Sequence, residues 1–123
     1  RSPVRTVLTL LDGVVAGEGE GPLSPDDRPL GAIIATTDPV AADLVAVRLM
    51  GFDERRIPKI RAALDDEGLR ITKVRSTTQV EVREFMAETG DTQTKSLDAI
   101  RSAEPFAAHA GWVGHIERTL ESE

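Results

Sequence analysis

The chain has 123 residues, enough for one domain with a real core, and its 40% apolar and 29% charged residues are those of a folding globular protein rather than a disordered chain. It has no cysteine, which excludes disulfides, thiolate zinc sites, thiol nucleophiles and cysteine-ligated iron–sulfur clusters within it and favours a reducing, cytoplasmic setting. The net charge of -6 is uneven: residues 1–47, 48–75 and 76–123 carry -4, +3 and -5. Only the middle stretch could offer phosphates a cationic surface, and with three Phe and one Trp in the whole chain base stacking has little to use, so a nucleic-acid partner is not expected. No run approaches the roughly 18 apolar residues of a membrane helix, so no membrane partner is expected either. The chain opens at Arg1-Ser2-Pro3 with no methionine and no basic-then-apolar leader, and it reads as the carboxyl-terminal part of something longer.

In chain order, Val4 to Leu11 (VRTVLTLL) is expected to be a first strand stopping in a turn at Asp12-Gly13. Residues 17–29 (GEGEGPLSPDDRP), crowded with glycine, proline and acid, read as a loop. Leu30 to Thr37 (LGAIIATT) is nearly continuous in its apolar character, as in a strand covered on both faces, and is expected to be central and parallel. Asp38 then stands as a capping residue before Pro39, and the helix they start runs to Met50 and closes at Gly51. A second helix is expected from near Pro58 to Gly68, burying Ile57, Ile60, Ala63 and Leu64 at helical spacing.

Leu69 to Val74 (LRITKV) alternates as a third strand would. Residues 76–93 give conflicting signals and stay open, as an irregular insertion within a single domain spanning 1–123. Lys95 to Ala103 reads as a short helix ahead of Pro105, and Trp112, Val113, Ile116 and Leu120 recur at helical spacing. Together these elements predict an α/β fold, a layered and at least partly parallel sheet flanked by helices.

In parallel α/β sheets ligands gather beyond the carboxyl ends of strands, where Asp12 and Asp38 are expected. With Asp43, and with Glu18 and Glu20 of the acidic loop nearby, they would suit a hard divalent cation such as magnesium or manganese. Each also has a structural reading: Asp38 as a helix cap, Asp12-Gly13 as an ordinary turn, Glu18 and Glu20 as solvated groups. Within Val40 to Met50 the polar residues are Asp43 and Arg48, so Asp43 is expected to be largely buried and to need a metal, a ligand or a basic partner. Glu18, Gly19 and Gly21 could cradle a cofactor's anion in a backbone nest, although the loop lacks the lysine and spacing of a phosphate loop, and a linking loop is the alternative. His109 and His115, six apart, do not form a helical metal pair, and no nucleophile triad can be assembled.

LTLLDGVVAGEGEGP, LGAIIATTDPVAADLVAVRLMGF and AHAGWVGHIE, in that order, resemble the ending of the bacterial and archaeal family called domain of unknown function 362. The resemblance rests on Asp12-Gly13, Glu18 to Pro22, Asp38 to Asp43 and Met50-Gly51. It implies a missing amino-terminal portion that shares a cleft with these carboxylates. Many relatives are iron–sulfur associated, a feature this cysteine-free chain cannot carry itself. Two functions follow as expectations: a metal- or metabolite-binding part of an enzyme, or a non-catalytic binding or scaffold module associated with an iron–sulfur partner.

Overall fold

A computed structural model describes residues 6–65 and 71–118. Its largest feature is a long antiparallel hairpin of β1 (Thr9–Glu20) and β2 (Ser24–Thr36), paired from Thr9↔Thr36 to Glu20↔Ser24. The register shifts between Gly13 and Val15, where Gly31 takes a left-handed φ of 69°, and both Val14 and Val15 stay exposed there.

This corrects the expected architecture. The described residues form two separate two-stranded antiparallel sheets, with no parallel layered α/β sheet among them. Parallel neighbours need a crossover of roughly a dozen residues or more, and three residues separate β1 from β2. The strand runs straight through Asp12-Gly13, and the supposed loop 17–29 supplies the far half of both strands. Pro25 and Pro29 are tolerated because each strand of a two-stranded ribbon has an outer edge that needs no N–H donor.

Helix α1 (Pro39–Leu49) follows the expectation closely. Asp38 caps it from an extended conformation, Pro39 takes the first turn, and Gly51 ends it at φ 78°. A Cβ on Gly51 would lie 2.7 Å from the Pro105 Cβ, so glycine is required there for space as well as for its backbone. α1 lies on the hairpin, chiefly against β2, and on α2 (Pro58–Asp65). The expected end of α2 at Gly68 lies outside the described residues.

Leu69 and Arg70 also lie outside them, and Ile71 to Val74 is not a strand: it is held by bonds to Asp38 instead of to a neighbouring strand. The region left open holds a short 3-10 turn at Thr77–Gln79, closed by a Ser76/Gln79 capping box, and a hairpin of β3 (Glu81–Phe85) and β4 (Thr92–Ser96). The helix expected over Lys95 to Ala103 reduces to a 3-10 turn at Leu97–Ala99. Of the helical pattern expected from Trp112 to Leu120, Leu120 lies outside the described residues, and the stretch to Ile116 is a series of turns with Gly114 at φ 79°. Beyond it, Phe52 bridges Glu117, and Asp53 N–H donates to the Ile116 carbonyl.

The core is aliphatic and lies where α1 meets its neighbours: Val40, Leu44, Val45, Val47, Phe52, Ile60, Val74, Val80, Leu97 and Phe106. From the hairpin, Ala16, Leu30 and Ile34 reach it from one face.

Candidate functional site

Asp38 sits at the corner where β2 turns into α1, and its carboxylate is fully engaged. Oδ1 accepts from Val40 N–H (3.1 Å) and Ala41 N–H (3.2 Å), and Oδ2 from Lys73 N–H (2.9 Å). The Thr72 hydroxyl lies 2.8 Å from both oxygens and itself accepts from Val74 N–H at 2.9 Å. Partial burial pushes the Asp38 carboxyl up, but the bonds from Lys73, Thr72, Ala41 and Val40 outweigh it and leave the group below the ordinary carboxylate range. It therefore stays ionised and clamps residues 72–74 to the start of α1. The cap was legible in the sequence; Thr72 and Lys73, 34 and 35 residues away, carried no signal of their part in it.

Asp12 stands elsewhere, in mid-strand on the outer face of the hairpin, opposite Ile33. Its Oδ1 accepts from Val14 N–H at 3.0 Å, across the register shift. Asp43 is half-buried on α1, and its side chain makes no hydrogen bond or ion pair with another described residue. The charge that α1 does bury is Arg48, whose Nη2 donates to Glu54 Oε1 at 2.6 Å and to Asp98 Oδ1 at 3.2 Å; Arg48 and Glu54 are 4% and 3% exposed. Sequence reasoning named Asp43 and passed over Arg48, whose long side chain near a helix end would ordinarily carry its charge to solvent.

Glu18, Gly19 and Gly21 belong to the far end of the hairpin, which residues 104–110 close over. Gly19 N–H donates to the Ala107 carbonyl (3.0 Å), and Glu18 Oε2 accepts from Ala107 N–H (2.8 Å). Gly21 precedes Pro22 in the connecting turn. Glu20 accepts from Ala110 N–H (3.3 Å), with His109 Nε2 at 3.4 Å from its other oxygen. Arg28 donates to the Glu104 carbonyl (2.7 Å) and side chain (3.1 Å), and its guanidinium lies 5.4 Å from the centre of the Phe106 ring. Beside it a cleft of ≈ 230 Å³ is lined by Arg28, Leu30, Leu49, Arg101, Ser102 and Phe106. The Ser102 hydroxyl donates to the same Glu104 carbonyl as Arg28, so both groups are satisfied within the wall.

The structure thus separates Asp12, Asp38 and Asp43 among three settings, and among the described residues no group of three or more His, Cys, Asp or Glu side chains could hold a metal ion. With no cysteine, the chain has no thiolate to offer an iron–sulfur cluster.

What the geometry leaves open is a surface. Leu10, Val15 and Ile33 are 70%, 60% and 64% exposed on the hairpin, and Leu8, just before β1, is 72% exposed. Leu10 and Asp12 alternate with the inward Leu11 and Gly13, and their cross-strand partners, Ala35 and Ile33, share their face. α1 and the core cover the other face.

Fold and site therefore define a helix-backed antiparallel hairpin with an uncovered apolar face. Residues 2–48, which contain that hairpin and most of α1, match the family described as Domain of unknown function (DUF362). A thylakoid-associated protein of Synechocystis sp. is 38% identical over 55 residues, which make up 45% of this chain and 17% of that protein's length. No solved structure matches the chain significantly. Among the described residues no helix is long and apolar enough to cross a membrane.

Proposed function

We propose that this chain is a docking module of a longer polypeptide, a non-catalytic binding part whose β1–β2 hairpin receives another segment of the same polypeptide on its outer face. The observation that carries the reading is the exposure of Leu10 and Ile33 on one side of a hairpin whose other side is already packed, with Leu8 just before β1 exposed as well. A contiguous apolar patch of this kind marks an interaction site in a soluble protein, and a two-stranded hairpin gains independent stability from further strands or packing. The matched stretch is 17% of its relative's length, so polypeptides of this family have chain to spare for the covering role.

Asp12 faces the docking side, whereas Asp38 and Glu18 are engaged by their own surroundings. A cytoplasmic setting belongs to the same proposal and rests on the cysteine-free composition.

The test is Ile33→Asp in the full-length polypeptide and in this 123-residue chain. In the isolated chain the new carboxylate meets Asp12 across the strands and costs that repulsion, whereas under a docked segment it must also be buried, so the full-length melting temperature should fall by several degrees more than that of the isolated chain. Equal falls in the two would count against docking.

A further inference from the structure

The outer face carries a charge in an apolar setting: Asp12 lies between Leu10 and Val14 along β1 and directly across from Ile33. The bond from Val14 N–H to Oδ1 leaves Oδ2 without a partner among the described residues. Solvent serves that oxygen while the face is open. Once a partner covers Leu10, Val14 and Ile33, water leaves Asp12 as well, and an ionised carboxylate so placed must be compensated or protonated.

We infer that the segment covering the hairpin presents a lysine or arginine side chain to Asp12, so that the interface is an apolar seal around one cross-segment ion pair. This rests on the docking proposal and specifies its chemistry. Charge decides between the candidate occupants. β1 contains no basic residue, and Arg28, the basic residue of β2, is turned to Glu104 and Phe106 on the other side. A second copy of this chain laid face to face would bring two Asp12 carboxylates together with no cation from either hairpin, and like charges so placed disfavour the pairing. A lipid surface calls for basic side chains beside the apolar ones, and this face offers an acidic one. A different segment, apolar with one cationic side chain, satisfies both the patch and the carboxylate, and arginine suits the geometry best because it can meet both oxygens at once.

The experiment compares Asp12→Asn, Asp12→Leu and Asp12→Arg in the full-length polypeptide and in this chain alone, by thermal melting with and without a chelator. In the full-length protein the expected result is a drop of several degrees for Asp12→Asn and Asp12→Leu and a larger one for Asp12→Arg, unchanged by chelator, because an uncompensated cation is left in the interface. In the isolated chain all three should leave the midpoint within about a degree, since Asp12 is exposed there. If Ile33→Asp destabilises the full-length protein while the Asp12 variants do not, the ion pair is refuted and docking stands. If neither does, both fail. If chelator lowers the wild type to the level of Asp12→Asn, a metal ion occupies the place assigned here to a side chain, and the inference is overturned.

Discussion

Asp38 shows how a single carboxylate can do several structural tasks at once. It starts α1, holds Thr72 and Lys73, and stays ionised because those bonds favour its charged form over the cost of partial burial. Replacing it by alanine removes the cap and leaves the Thr72 hydroxyl and Lys73 N–H without their acceptor, a loss expected on the order of 1–3 kcal/mol by urea unfolding. The sign with pH follows from the lowered pKa. The contribution is fully present above the unfolded value of 3.8 and is lost as pH falls through the lower folded value. Wild-type stability should therefore fall more steeply than that of Asp38→Asn on acidification below about pH 4. A parallel fall would show that Asp38 does not carry the linkage. Arg48 and Glu54 make the opposite case, a buried pair that is costly to break and cheap to replace. Arg48→Met or Glu54→Leu alone should cost about 3–5 kcal/mol, and the two together much less. Additive losses in that double-mutant cycle would rule out the coupling.

At the scale of elements, legibility followed how local the determinants are. The α1 cap, its proline and the closing Gly51 are contiguous in sequence and could be read directly. Gly51→Ala should destabilise by about 1–3 kcal/mol, because φ 78° and the nearby Pro105 both oppose a Cβ; a neutral result in thermal melts would mean that Pro105 moves away freely. The long hairpin was concealed, since Asp12-Gly13 imitates a turn and Gly17 to Pro29 imitates a loop, while a two-stranded ribbon has outer edges that tolerate both glycine and proline. Ile71 to Val74 alternates as a strand but has its donors drawn to Asp38. The spacing of Trp112, Val113 and Ile116 suggests a helix, yet Gly111 and Gly114 allow turns, and residues 116–118 bond back to 51–53. These outcomes depend on partners far away in sequence, which periodicity does not encode.

For the whole molecule, the sequence pointed to carboxylates meeting at strand ends, and the structure distributes them: Asp38 in a corner clamp, Asp43 on α1, Asp12 on an open apolar face. The stretch that matches the DUF362 family, residues 2–48, contains the hairpin and most of α1, so the family match and the uncovered face occupy the same part of the chain. That coincidence makes the outer face of β1–β2 the central feature of the account, and side-chain footprinting tests it most directly. Leu8, Leu10 and Ile33 should be labelled strongly in the isolated chain, in keeping with their exposure, and protected several-fold in the full-length polypeptide. Equal labelling in the two would contradict a docked hairpin.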